Sequence, residues 1–194
     1  MASISDAAHL RHDVQVTLAC GVIEAGQVIL GGDSALSADG GDQTIGQPKV
    51  FEHAGLLFGS SGEMRTAQLL RHVFQLPACG AQQDPEEYVV RDFARQFRAL
   101  LVDEAPELIT PVENDDELWS LLIAVKGRLF RLCSHFTVRE SQTGYDAIGS
   151  GTPFALGSFA STEGRPGRER VELALNAAER HVPSVRGPFR ILQG

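Results

Sequence analysis

The sequence predicts an α+β fold of four layers, an αββα sandwich in which two antiparallel β-sheets pack face to face beneath outer pairs of helices. Three observations carry this reading. The elements run in the order strands, two helices, strands, two helices, strand. Two helices adjacent in sequence cannot both be βαβ crossovers, which argues against a doubly wound parallel sheet. Short turn signals at Glu24-Ala25-Gly26, Ala54-Gly55 and Lys126-Gly127 join the strand-like runs as hairpins. At 194 residues the chain has the size of one domain with one sizeable core.

Each element has its own justification. Residues 1–13 are polar and rich in Ala, Ser, Asp and His, and read as a loose arm. Strands are expected over Val14 to Val22 and Gln27 to Gly32, whose β-branched or small side chains suit sheets buried on both faces. Asp33 to Pro48 reads as a loop, followed by a hairpin of Lys49 to Glu52 and Leu56 to Phe58. From Gly62 the period changes to helical, with Ala67, Leu70 and Phe74, and Met64 and Val73 beside them, forming a stripe that ends before Pro77. Asp84, Pro85 and Glu87 mark the start of the next helix, whose apolar face is Val90, Phe93, Phe97, Leu100 and Leu101 and which Pro106 ends. The acidic run Glu113 to Glu117 is a solvated loop. Strands follow at Leu118 to Val125, Arg128 to Cys133 and Ala147-Ile148. Gly149-Ser150-Gly151 breaks the sheet and starts a helix. Val171, Ala174, Leu175 and Ala178 line the last helix, and Phe189 to Leu192 form the last strand.

Composition narrows the function. The net charge of -8, with no basic stripe, argues against nucleic acid or an anionic membrane surface as partner. Cys20, Cys79 and Cys133 have neither metal-ligand spacing nor the pattern of a disulfide framework, and the six histidines show no ligand spacing. No metal or cofactor is expected. No apolar run reaches the ~18 residues of a membrane span, and the N-terminus lacks a secretory pattern. A cytoplasmic location is the expectation.

Thr17, Asp33 and Lys49 stand sixteen residues apart each time, at the start of a strand, the end of its hairpin partner and the start of the next strand. Gly31-Gly32-Asp33-Ser34, Lys49-Val50-Phe51, the glycine-bracketed Gly59-Ser60-Ser61-Gly62 and the run Ala147 to Phe154 complete an ordered set. In this order the motifs resemble proteasome β subunits and the HslV-type peptidases, over Val16 to Leu192. The resemblance implies the N-terminal-nucleophile hydrolase fold, residues 1–16 as an N-terminal arm or propeptide and 17–194 as the proteasome β-type domain. It implies Thr17 as nucleophile, Asp33 and Lys49 as its electrostatic partners, Gly59 as oxyanion donor and Ser150 as a group orienting the amine. It also implies a specificity pocket at Leu36, Phe51 and Leu57. Identical subunits in a ring, peptide or unfolded-protein substrates and an ATP-dependent unfoldase are the partners that such a family suggests.

The chemistry is consistent with those roles. A threonine hydroxyl is a weak nucleophile until a base takes its proton. A chain beginning at Thr17 would carry its own base, an α-amine titrating near ~8. A lysine cation would stabilise the alkoxide, and a nearby aspartate would hold that lysine charged. Two positions depart from the family pattern. Val16 replaces the glycine that usually precedes the threonine, and a β-branched residue stiffens the chain at the cut. The run Glu179 to Ser184 lacks the family's aspartate, although Ser184 matches its serine. Two other functions therefore stand beside the peptidase: a non-catalytic ring scaffold that keeps its arm, and a small-amide hydrolase on the same fold.

Overall fold

The computed structural model describes residues 17–37, 43–109 and 117–194. Strands β1 (Leu18–Glu24) and β2 (Gln27–Gly32) form the first hairpin. Two short strands follow, β3 (Ala35–Ser37) and β4 (Gln43–Ile45), and then the hairpin β5 (Val50–His53) and β6 (Leu56–Gly62). Helix α1 (Met64–His72) leads to a continuous helical run of α2 (Pro85–Glu87), a π-helical turn (Tyr88–Phe93) and α3 (Ala94–Glu104). A 3₁₀ turn (Pro106–Leu108) precedes β7 (Trp119–Val125), β8 (Arg128–Cys133), β9 (Val138–Glu140) and β10 (Tyr145–Gly149). Helices α4 (Thr152–Ser161) and α5 (Gly167–His181) and strand β11 (Arg190–Gln193) close the chain.

The strands build two antiparallel sheets, β10-β1-β2-β11 and β5-β6-β7-β8-β9, with β3-β4 as a separate ribbon. Three apolar clusters separate four layers. Phe58, Leu69, Phe93, Phe97 and Trp119 pack α1 and α3 on the five-stranded sheet. Leu18, Phe159, Val171 and Leu175 pack α4 and α5 on the four-stranded sheet. Ala19, Leu30, Val50, Leu57 and Leu122 fill the space between the sheets. Because both faces of each sheet are buried, every residue of β7 is buried and no polar alternation survives. The turns at Ala25-Gly26, Ala54-Gly55 and Lys126-Gly127 all have φ between 47° and 81°, the geometry that joins twisted antiparallel strands.

Asp84 caps its helix as its position predicts, accepting from the N–H groups of Glu86 and Glu87 at 2.9 and 3.1 Å. Its other oxygen holds Arg128 at 2.7 Å, which ties the helix start to β8. Lys126, in the turn before β8, donates to the carbonyls of Gly80, Ala81 and Gln83 and fixes the loop that enters this helix.

Four expectations need correction. The loop expected over 33–48 contains β3 and β4. Val90 is 47% exposed, whereas Tyr88 and Val89 are buried. The π-helical turn inserts an extra residue into the helical period, so the side chain one turn before Phe93 is Val89 rather than Val90. Strand β9, a polar Val-Arg-Glu edge segment, was not foreseen because its exposed pattern carries no strand signal. Finally, Gly59 does not sit in a turn: β6 runs on to Gly62, paired with β5 on one side and β7 on the other. The arm and the start of the strand expected at Val14 fall on residues 1–16, outside the described residues. Most of the acidic loop expected over 113–117 also lies outside them.

Candidate active site

The hairpin β1–β2 brings Thr17 and Asp33 together. Its register pairs Ala19 with Gly32, so the next residues outward lie opposite one another at the open end of the hairpin. Asp33 locks this end. Its N–H donates to the Leu18 carbonyl at 3.1 Å, and its Oδ1 accepts from the Leu18 N–H at 3.0 Å. The same Oδ1 accepts the Thr17 hydroxyl at 2.6 Å, while Oδ2 accepts the Ala35 N–H at 3.2 Å. Thr17 is 1% exposed and Asp33 fully buried.

Lys49 joins through the backbone, its N–H donating to the Asp33 carbonyl at 3.1 Å. Its carbonyl in turn accepts the N–H and hydroxyl of Ser60 at 2.9 and 3.3 Å. Thus three residues sixteen apart in sequence share one continuous hydrogen-bonded set. Burial pushes the Asp33 carboxyl above its ordinary range, against the Thr17 and Leu18 hydrogen bonds and the Lys49 charge, which favour the ionised form. Burial likewise pulls the Lys49 ammonium below its ordinary range. The Asp33 charge works the other way, and the Arg71 charge adds to the depression. Among the described residues no contact ion pair forms between Lys49 and Asp33, so Asp33 acts on the lysine at longer range.

Ser150 reaches the set from the opposite strand of the same sheet. Its hydroxyl donates to the Thr17 carbonyl at 3.3 Å, and the Gly151 N–H donates to the same oxygen at 3.4 Å. It makes no side-chain cap on α4, whose N-cap is Gly151. Ser184 is buried, and its hydroxyl has no partner among the described residues.

Gly59 lies between the sheets. A Cβ there would stand 3.0 Å from Ala19 Cβ, so the glycine permits the sheets' close approach. The Ser60 N–H points to β5, and strand alternation therefore turns the Gly59 N–H towards β7. Of the residues assigned to the specificity pocket, Phe51 and Leu57 take opposite faces of the five-stranded sheet. Phe51 packs with α1 and α3, Leu57 lies in the core between the sheets, and the Leu36 backbone runs in β3 while its side chain lies outside the described set. Neighbouring strand residues face opposite sides, so Phe51 and its partner Phe58 share one face and Leu57 takes the other.

Two hollows open at the end of β6, and Ser61 and Gly62 line both. One, of about 30 Å³, includes Gln47, Lys49, Gln68 and Arg71. The other, of about 460 Å³, includes Trp119, Arg131, Ser150 and Pro153. Sequence reading missed Arg71 and Gly62 as site residues. Arg71 gives no sequence signal beyond one charge on a helix, whereas Gly62 was visible as the second glycine of its motif. No group of three His, Cys, Asp or Glu side chains suited to a metal gathers among the described residues.

Two face-to-face antiparallel sheets between helix pairs are the fold of the proteasome-like N-terminal-nucleophile hydrolases. Comparison with solved structures supports the same fold. The chain is similar to Thiobacillus denitrificans BPH in complex with epoxomicin, with a TM-score of 0.72 and 18% identity over 92% of this chain and 98% of that one. It is also similar to the eukaryotic HslV from Trypanosoma brucei, with a TM-score of 0.63 and 18% identity over 91% and 98% of the two chains. The Anbu helical assembly from Pseudomonas aeruginosa matches with a TM-score of 0.64 and 15% identity, over 92% and 81%. No protein-family model matches the sequence, and no curated protein matches it either. No helix among the described residues is long and apolar enough to cross a membrane.

Proposed function

We propose that this chain is a threonine-type peptidase that works as a homo-oligomer in the cytoplasm and becomes active on release of residues 1–16. The observation that carries the reading is the 2.6 Å hydrogen bond from the Thr17 hydroxyl to Asp33, in a set that also holds the Lys49 backbone. In the full-length chain the Thr17 nitrogen belongs to a peptide bond. Hydrolysis between Val16 and Thr17 frees it as an amine, which then takes the Oγ proton as Oγ attacks the substrate carbonyl. The tetrahedral oxyanion needs donors, and the Gly62 N–H at the end of β6 suits this role better than Gly59, whose N–H turns towards β7. Lys49 supplies the positive charge. When the C–N bond breaks, the ammonium returns its proton to the leaving amine, and water then hydrolyses the Thr17 ester. Ser150, donating to the Thr17 carbonyl, holds the nucleophile's backbone while this happens.

Association of identical copies follows from the same reading, since one similar structure is a helical assembly of Anbu. Peptides or unfolded protein are the substrates, and an ATP-dependent unfoldase is the partner that a closed chamber requires. The burial of Thr17, with its hydroxyl committed to Asp33, also favours a second reading, the scaffold that keeps its arm. Intact-mass measurement of the assembled protein decides between them. The expected mass is that of a chain beginning at Thr17, whereas a full-length mass with no turnover establishes the scaffold.

A further inference from the structure

The small hollow beside Lys49 has a chemistry unlike the apolar pocket that the sequence suggests. Its lining includes two cations, Lys49 and Arg71, against one carboxylate, Glu63, and the remaining polar groups include Gln47, Ser60 and Gln68. Among the described residues neither cation forms an ion pair within 4.0 Å of a carboxylate. The Arg71 guanidinium is held in place: Nη1 donates to Gln47 Oε1, and Nη2 donates to the Pro48 carbonyl at 2.6 Å. Its Nε is one of four buried side-chain polar atoms without a hydrogen-bond partner among the described residues. Arg71 Cζ also lies 3.9 Å from the centroid of Phe51. The ring that was expected to floor an apolar pocket is therefore capped by a cation, which resists displacement through its cation–π contact and two hydrogen bonds. An apolar side chain could reach Phe51 from this hollow only by lifting Arg71 off the ring.

We propose that this hollow selects a carboxylate, so that the peptidase cleaves after acidic residues, with the Asp or Glu side chain seated between Lys49 and Arg71. This rests on the peptidase reading above. The carboxylate restores the charge balance of two unpaired cations in a partly buried site, where charge-assisted hydrogen bonds are strong. Arg71 thereby becomes the residue that sets specificity, while Lys49, tied to Asp33 through its backbone, also lines the hollow.

The test compares acetylated fluorogenic peptides that differ only in Glu, Gln or Leu before the scissile bond, on the wild type and on Arg71→Ala and Arg71→Lys. Wild-type kcat/KM should favour Glu over its uncharged isostere Gln, and over Leu, by at least about tenfold. Arg71→Ala should reverse that order by uncovering Phe51, and Arg71→Lys should keep part of the preference. Calorimetric binding of the corresponding acetylated peptide amides, with thermal melts to verify folding, gives a readout without turnover. Tighter binding of Glu than of Gln and Leu that disappears in Arg71→Ala supports the selectivity even when nothing is cleaved, in which case only the peptidase reading fails. Turnover or binding that favours Leu, or that ignores the side chain, overturns the selectivity and leaves the peptidase reading standing.

Discussion

Lys49 illustrates how a single residue carries opposed demands. Burial lowers its pKa while the Asp33 charge raises it, and burial wins. The folded chain thus holds this proton more weakly than the unfolded chain does. Between the lowered folded pKa and the ordinary 10.5 the unfolded state binds more protons, so stability rises as pH rises through that window. Below the window the cation is a standing destabilisation, which the proposed mechanism would account for. Lys49→Met should therefore raise thermal stability near neutral pH by on the order of 1 kcal/mol and abolish peptide turnover. Melts repeated at increasing pH should show the gap between variant and wild type narrowing as the wild-type lysine loses its charge. A Lys49→Met protein with full turnover would remove the lysine from the mechanism.

At the scale of an element, β10 is defined by how closely its end approaches Thr17. Gly149 has φ +96°, and a Cβ there would stand 2.2 Å from the Thr17 carbonyl oxygen and 3.3 Å from its Cγ2. That oxygen is the acceptor for Ser150 and Gly151, so the strand end, the turn into α4 and the Thr17 backbone are one joint. Gly149→Ala should cost about 2–4 kcal/mol through backbone strain and displacement of Thr17. Gly144, at φ +78° with open space around it, supplies the control. Gly144→Ala should cost only about 1 kcal/mol, with turnover retained. Urea midpoints and peptide cleavage on the two variants check both parts.

At the scale of the whole molecule, the exposed large apolar side chains among the described residues lie on or beside the helices rather than on the sheets. Val73, Val90 and Val102 belong to the layer over the five-stranded sheet, and Phe154, 38% exposed, to the other. Phe154 stacks on His181 with centroids 4.9 Å apart, beside a hollow of about 510 Å³ between α4 and α5 that Arg165 and Arg180 also line. Light scattering should give a mass several times that of the monomer, and Phe154→Glu should shift it to smaller species. A wild-type monomer at micromolar concentration would contradict the homo-oligomer, and an unchanged Phe154→Glu assembly would move the contact to the α1–α3 layer.

What the sequence by itself determined was the architecture and the convergence of Thr17, Asp33 and Lys49. Both depend on local signals. A two-residue turn after β1 sets a register that places Leu18 opposite Asp33 at the hairpin's open end, one residue from Thr17. Helix caps and prolines bounded the helices in the same way. The positions of Phe51 and Leu57 were another matter, because sheets buried on both faces lack the polar alternation that tells one face from the other. Likewise a helical period cannot announce a single inserted residue, and the π-helical turn moved Val90 out of the core. Only the tertiary structure laid the Arg71 guanidinium over Phe51 and left its charge unpaired beside Lys49. These residues come from β5 and α1, and nothing short of packing the helix on the sheet decides which side chain covers which.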